Sequence, residues 1–196
     1  MSAPPKIILG IDPGTNWAGY GVIGVAGGKT GAMRCLELGD IDMHLMQDPY
    51  SKLRKLFNEV SIIIERVKPD EVALESPFFG ENVQSMLKLG RAQGVAMAAA
   101  LSRGIPVWEY APRRIKQSIT GQGGASKEQV AALLRSMLKV EYDLKRLDAT
   151  DGLAVAVCHH FISTSPVGES TPKRKMSRSS ESWESFLTKN PERIKK

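Results

Sequence analysis

The stretch "IILGIDPGTNWAGYGVIG", residues 7–24, places one acidic residue, Asp12, directly after a continuous apolar run. A Pro-Gly turn follows and a second apolar segment begins at Trp17, so the pattern predicts a buried strand, a turn and a second strand. Asp12 then stands at the end of a central strand, where an ionised carboxylate needs a compensating partner. Two kinds of partner remain open, namely the turn amides of Gly14 and Thr15 or a bound cation.

The remaining chain alternates between patterns typical of strands and patterns typical of helices. We predict strands at 31–41, 70–76 and 105–110 and helices at about 52–67, 82–102, 112–119, 127–139 and 148–162. A capping box formed by Ser126 and Gln129 marks the start of the fourth helix. Three meander strands followed by alternating helices and strands predict an α/β fold, with a mixed sheet covered by helices.

Composition indicates one globular domain with an appendage, because the chain has 196 residues and a hydrophobic content of 42%. No apolar run approaches the roughly 20 residues that a membrane-spanning helix needs, and the start "MSAPPK" lacks a secretory signal. We therefore expect a cytoplasmic protein. Cys35 and Cys158 lack the spacing of a zinc site, so we interpret both as reduced core thiols.

The net charge of +6 is typical of a protein with a polyanionic partner, and most of it lies at the C-terminal end. Residues 165–196 carry eight basic and four acidic side chains among many Ser and Pro residues, a composition that predicts a flexible tail. We accordingly divide the chain into a folded domain at 1–164 and this tail. Near the end of the tail, three apolar side chains are spaced as one helical turn, namely Trp183, Phe186 and Leu187. We expect this turn to dock either on the domain or on a partner.

Three further acidic residues are predicted to converge on Asp12. Glu75 ends the strand at 70–76, and the carboxyl ends of neighbouring strands in an α/β sheet usually form its site. Asp148 and Asp151 lie three residues apart in the first turn of the last helix, where acids also favour the helix dipole by about 0.3–1 kcal/mol. The dipole does not explain the two strand-end acids, whereas two divalent cations would neutralise all four charges.

Carboxylate oxygens suit Mg²⁺ or Mn²⁺, hard cations that also bind substrate phosphates. Such pairs of ions serve in-line displacement at phosphorus, in which a water is activated and the departing oxygen is stabilised. The sequence therefore predicts a two-metal site for phosphodiester hydrolysis.

The chain resembles the RuvC-type Holliday junction resolvases, which have an RNase H-like fold, in motifs spread from about residue 6 to residue 162. These motifs are "ILGIDPGT", "GYGVI", "VALES", "LKLGRAQGVA", "EYAPRRIKQSITGQGGASKEQV" and "LDATDGLAVAVCHH". By this resemblance the four metal-binding catalytic carboxylates are Asp12, Glu75, Asp148 and Asp151. The resemblance also implies a homodimer that cuts two strands of a four-way DNA junction symmetrically in recombination and repair, together with the RuvA-RuvB branch-migration machinery. The long basic tail departs from the shorter members of the family.

Several residues outside the carboxylates are candidates for handling DNA. Phe78, in the loop "SPFFGEN", either packs on the adjacent core or stacks on an unpaired base, and the resemblance supports stacking; the role of Phe79 stays open. Lys127 places a cation in the first turn of a helix, against the dipole, which indicates either a phosphate contact or a solvated surface lysine. The resemblance supports catalytic and DNA-binding roles for Lys116 and Lys127. Backbone phosphates are the predicted contacts of two further residues, Arg113 and Arg114.

Other functional classes fit parts of the pattern. The Asp-x-Gly-Thr pattern within "GIDPGT" is also that of the first phosphate loop of actin-like and sugar-kinase-like ATPases. The chain lacks their second phosphate loop, however, and is too short for their two lobes. A protein that only binds junctions has no need of four intact carboxylates. An RNA-processing nuclease of the same fold is the closest alternative in chemistry. His159 and His160, late in the last helix, are interpreted as packing or surface residues and not as ligands.

Overall fold

The computed structural model describes residues 4–27, 31–77, 82–140 and 148–165. The strands are β1 (Lys6–Asp12), β2 (Trp17–Val25), β3 (Met33–Asp42), β4 (Glu71–Glu75) and β5 (Val107–Tyr110). The helices are α1 (Pro49–Val67), α2 (Val83–Leu101), α3 (Pro112–Thr120), α4 (Lys127–Leu138) and α5 (Asp148–Thr164).

The strands form one mixed sheet in the order β3-β2-β1-β4-β5. β1 pairs with β2 in antiparallel fashion and with β4 in parallel, and β4 is parallel to β5. Ile11 lies opposite Leu74 in the β1–β4 register, so the next residues, Asp12 and Glu75, emerge from neighbouring strands at the same edge. The predicted mixed five-stranded sheet flanked by helices is confirmed.

Two hydrophobic cores lie on the two faces of the sheet. One contains the buried residues of α1 and α2, such as Leu56 and Ala96, against Leu9 and Val72 of the sheet. The other is built by α3, α4 and α5 against the opposite faces of the same strands. The central strands are therefore buried on both sides, which explains why β1 has almost no polar residue before Asp12.

Most predicted boundaries agree with the structure to within two residues, and the capping box of α4 is present. The prediction for α1 was wrong by three residues, because the helix begins at Pro49 and not at residue 52. Proline is favoured in a first helical turn, and the Asp48 carboxylate caps the helix by accepting a 2.7 Å hydrogen bond from the amide of Ser51.

Several predictions fall on residues outside the described ranges. They concern the loop residues Phe78 and Phe79 and the tail, of which only Ser165 is described. The compact unit that contains the sheet ends at Ser165, and the division at 164 remains a prediction. No helix in the described part of the chain combines the length and apolar character that a membrane crossing requires.

Candidate active site

A cleft of about 70 Å³ opens at the edge of the sheet where β1 and β4 end. We call it the carboxylate cleft, and the charged side chains that line it are those of Asp12, Glu75, Asp151, Lys116 and Lys127. The backbone is paired up to the end of β4 beside Glu75, because the amide of Ser76 donates a 2.9 Å hydrogen bond to the carbonyl of Tyr110. Five of the predicted catalytic residues therefore meet in one place.

The sixth predicted catalytic residue, Asp148, stands at the start of α5 and does not line the cleft. Its charge nevertheless raises the pKa of both Asp12 and Asp151, in each case after the larger effect of burial. Asp148 thus contributes to the electrostatics of the cleft from its margin.

Glycines bring α5 into backbone contact with the sheet. A Cβ atom on Gly19 of β2 would lie 1.8 Å from the carbonyl oxygen of Asp148, and one on Gly10 of β1 would lie 2.3 Å from that of Gly152. Such contacts leave no room for any side chain. The absence of side chains at these positions sets the distance between α5 and β1, and hence between Asp151 and Asp12.

The electrostatics of the cleft show a surplus of negative charge. Burial, followed by the charge of Asp151, raises the pKa of Asp12 to about 6, and burial with the charges of Asp12 and Asp151 raises the pKa of Glu75 to about 8. Burial also raises the pKa of Asp151, against the opposing effect of Lys127. Each carboxylate is therefore harder to ionise in the folded chain than in water, and a cation in the cleft would reverse that shift.

Lys127 is the cation placed closest to these acids. Its ammonium forms an ion pair with Oδ2 of Asp151, whose side chain is only 16% exposed. Burial alone would lower the pKa of Lys127, but the hydrogen bond to Asp151 and the charges of Asp151 and Asp12 raise it overall. The lysine therefore stays protonated, and the position that opposes the dipole of α4 is explained by its partner on α5.

The donor set fits a hard divalent cation, because all four acids offer oxygen ligands and their mutual repulsion is relieved by positive charge. The side chains are not yet arranged around a single point: among the described residues, no group of three His, Cys, Asp or Glu side chains is placed to hold a metal ion. One oxygen of Asp151, Oδ2, is already occupied by the ion pair with Lys127. Carboxylate rotamers adjust at little cost, whereas the fold itself buries the like charges of Asp12, Glu75 and Asp151 together. This burial of like charge favours a bound cation.

The alternative partner for Asp12, the turn amides, is not used. In the described part of the chain, no hydrogen bond joins the Asp12 carboxylate to the amide of Gly14 or Thr15. The positive charge that acts on Asp12 in the described chain is that of Lys127, which lowers the pKa of Asp12 against the larger effect of burial.

The basic residues of α3 divide into two groups. Lys116 lines the cleft, where its charge lowers the pKa of Glu75 and Asp151. Arg113 and Arg114 are exposed and do not line it. The stem of Arg113 packs against Gly123, and the charge of Arg114 acts on Tyr110 and Cys158.

Comparison with known proteins gives the family. The model of the family described as "Crossover junction endodeoxyribonuclease RuvC" matches residues 8–159. The chain belongs to this RuvC family. The RuvC enzyme of Bacteroides fragilis is 53% identical over 97% of this chain and 96% of its own length, and that of Porphyromonas gingivalis is 48% identical over 100% of both chains.

The fold agrees with this assignment. The structure of "T. thermophilus RuvC in complex with Holliday junction substrate" superposes with a TM-score of 0.73 at 30% identity, covering 81% of this chain and 95% of the other. The sheet is thus RNase H-like, as predicted. RuvC proteins are metal-dependent nucleases of recombination and repair that hydrolyse phosphodiester bonds at crossover junctions, so the ATPase interpretation is excluded.

The sequence did not reveal how the far end of α5 is anchored. Nδ1 of His159 lies 2.7 Å from Oη of Tyr110, and Nε2 lies 2.8 Å from Oε2 of Glu71, which also pairs with Lys6 at 2.5 Å. Burial is the largest effect on His159 and lowers the pKa of its ring, which is therefore neutral. In this form Nε2–H donates to the Glu71 carboxylate and Nδ1 accepts from the Tyr110 phenol. His159 is buried and packs inside the domain, and it ties α5 to β4 and β5.

Substitution of Gly152 by Ala tests the close contact of α5. The added Cβ would lie 2.4 Å from Cα of Tyr20, so α5 has to move away from β2 and carry Asp151 with it. We expect a loss of about 1–3 kcal/mol in the free energy of unfolding and at least about tenfold slower cleavage. Thermal melting and single-turnover cleavage measure the two effects.

Gly94→Ala is the matched control, because Gly94 also lies in a helix but faces open space. Alanine there should raise helix propensity and leave cleavage unchanged. Equal melting temperatures and rates for Gly152→Ala and Gly94→Ala would contradict the proposed role of the glycine contact.

Glu75→Gln tests the charge surplus through pH. A carboxyl group whose pKa is raised to about 8 stabilises the fold when protonated, and this contribution is full below about pH 4.5 and is lost as pH rises through 8. In metal-free protein, Glu75→Gln should therefore melt several degrees above wild type at pH 8.5, with the difference vanishing towards pH 4.5. If the two proteins differ in melting temperature by the same amount at every pH, burial and neighbouring charges do not raise the pKa of Glu75.

Proposed function

We propose that this chain resolves four-way DNA junctions as a homodimer, with two Mg²⁺ ions per active site held by Asp12, Glu75, Asp148 and Asp151. The proposal rests chiefly on the carboxylate cleft. Three of these acids are buried together there, and Lys116 and Lys127 line the same cleft. Mn²⁺ suits the same oxygen ligands and should substitute for Mg²⁺.

Divalent cations bound in the cleft would supply activation of the attacking water and stabilisation of the departing oxygen. The side chains of the chain itself have separate tasks. Asp12 and Asp151 present anionic oxygens from β1 and α5, and Glu75 presents its carboxyl group from β4. Lys127 and Lys116 are positioned to offset the negative charge that develops on the phosphoryl oxygens during hydrolysis.

Contacts to DNA are proposed to extend outwards from the cleft. The relative from T. thermophilus was solved with a Holliday junction, and the exposed side chains of Arg113 and Arg114 here suit backbone phosphates of such a substrate. Phe78 is proposed to stack on a base exposed at the opened junction, on the strength of the family resemblance. Both roles position the strand and carry no chemistry.

The dimer follows from the number of cuts. Symmetric resolution needs two incisions, and the described ranges of one chain form one carboxylate cleft, so a second copy would supply the second active site. A cytoplasmic location and cooperation with RuvA and RuvB are proposed from the resemblance.

Cleavage of a synthetic four-way junction, a linear duplex of the same sequence and a structured RNA, each with and without Mg²⁺, tests the proposed function. We expect paired, symmetric nicks in the junction only, and only with the metal. Equal cleavage of the duplex, or preferential cleavage of the RNA, would overturn the proposal in favour of a different nuclease of the same fold.

The tail is proposed to add sequence-independent attraction to DNA. Residues 165–196 are rich in Ser and carry eight basic side chains, and basic side chains near phosphates release counterions whatever the base sequence. Deletion of residues 165–196 should weaken binding to junction and duplex alike and make the salt dependence shallower, with cleavage at saturating enzyme near wild type. An unchanged salt dependence with a much lower melting temperature would instead indicate that Trp183 and its neighbours dock on the domain.

A further inference from the structure

A second and larger cavity, of about 310 Å³, lies between the β1–β2 turn and the helices α1 and α2. We call it the α1–α2 pocket. Its volume is at the lower end of the range typical of small-ligand sites, about 300–1,000 Å³. None of the functional residues predicted from the sequence lines it, so neither the proposed metal site nor the proposed DNA contacts account for it.

The interior of the α1–α2 pocket is apolar and its mouth carries an aromatic ring. Met43, Leu56 and Ala92 line it and are each at most 2% exposed, and Leu53 is half-buried beside them. Tyr50 also lines the pocket but is 72% exposed, an unusual degree of exposure for a large ring. A flat, partly apolar group such as a nucleobase suits this combination of an apolar interior and an exposed ring.

The charges of the lining are of one sign. The ionisable cations that line it are Lys52, Lys88 and Arg91, and no Asp or Glu is among its lining residues. Nζ of Lys52 is 2.5 Å from Oδ1 of Asn16, which holds that ammonium at the side of the β1–β2 turn. The pocket therefore complements a ligand that is both planar and anionic.

The α1–α2 pocket and the carboxylate cleft are lined by residues that lie close together along the chain. Gly14 and Thr15 line the pocket, and Asp12, two residues before Gly14, lines the cleft. Two residues of extended chain span at most about 7 Å. A DNA strand whose phosphate lies at Asp12 can thus place an adjoining nucleotide at the pocket.

From these observations we infer that the α1–α2 pocket binds one unpaired nucleotide of the DNA strand next to the cleaved phosphodiester. Its base lies against Tyr50 and Leu53, and its phosphate is held by Lys88 and Arg91. The inference rests on the proposed function, because it takes junction DNA as the substrate.

A cycle of protein and DNA changes tests the inference. A series of four-way junctions, each lacking a single base at one position around the cut site, is titrated with full-length protein carrying Asp12→Asn, so that no cleavage occurs. At one position, loss of the base should weaken binding about 5- to 100-fold, the range expected for a base stacked on an aromatic ring. Adding Tyr50→Ala should remove this difference, and adding Tyr50→Phe should preserve it.

The charge of the pocket is tested by Arg91→Gln, with Arg54→Gln as the matched control, since Arg54 is exposed on α1 and does not line the pocket. Arg91→Gln should weaken junction binding more than Arg54→Gln does. Equal losses would indicate general attraction to DNA and would overturn the role of the pocket.

The outcomes separate this inference from the proposed function. The inference alone is overturned if wild type cleaves the intact junction but Tyr50→Ala cancels the effect of a missing base at no position. A change of oligomeric state in Tyr50→Ala without such a position would assign the pocket to the contact between two copies. Absence of junction cleavage by wild type would contradict the proposed function itself.

Discussion

Asp12→Asn is expected to slow junction cleavage about 100- to 1,000-fold while leaving junction binding within about threefold of wild type. The amide keeps the shape of the side chain but loses the charge with which Asp12 would hold a cation, and electrostatic groups at reacting centres commonly contribute factors of 10²–10³ each. Binding is spread over basic side chains outside this position, so it should persist. Single-turnover cleavage and junction titration on the same protein measure the two quantities.

The same variant should melt above wild type when the metal is absent. Because burial and Asp151 raise the pKa of Asp12 to about 6, its ionised form costs stability at neutral pH, and Asn removes that cost. Asp42→Asn is the control, since Asp42 pairs with His44 away from the cleft and burial of like charge is not involved. Wild-type cleavage in Asp12→Asn would contradict its assignment as a metal ligand.

Lys127→Met is expected to reduce the cleavage rate about 100-fold with little change in junction affinity. The ammonium lies against Asp151 inside the carboxylate cleft, where a positive charge opposes the charge that builds up on the phosphoryl group. The aliphatic part of the side chain is retained in Met, so packing is conserved. Cleavage rates at saturating enzyme, compared with affinities from titration, separate a loss in the chemical step from a loss in binding.

Lys139→Met provides the control for Lys127→Met, because Lys139 follows the other end of the same helix, α4, and lies outside the cleft. It should cleave at the wild-type rate. If both variants lose affinity equally and neither loses rate, Lys127 is a surface lysine that only attracts DNA.

The features that sequence could predict are those with a local or strongly periodic signal. The apolar run before Asp12 and the short apolar strand before Glu75 identify central strands, and the ends of parallel neighbours must meet at one edge. Both residues are found there. The capping box at Ser126 likewise depends on residues three apart, and its geometry is present in the structure.

The features that sequence did not predict depend on contacts between distant segments. Nothing near Gly19 or Gly152 in the sequence indicates that each faces the backbone of another element, since glycine is equally compatible with a turn or a bulge. The anchoring of His159 by Glu71 joins residues 88 positions apart. The α1–α2 pocket forms only where two helices and a turn come together, so its residues carry no shared pattern along the chain.

The most direct test of the central claim is a count of bound metal ions. Mn²⁺, which is paramagnetic, can be titrated into wild type and Asp12→Asn on a junction whose phosphodiesters at the cut sites are replaced by uncleavable linkages, with free Mn²⁺ followed by electron paramagnetic resonance. Two tightly bound ions per wild-type chain, with at least one lost in Asp12→Asn, are predicted from the four carboxylates. An equal count in both proteins, or no tight binding in wild type that cleaves the normal junction, would contradict the two-metal site.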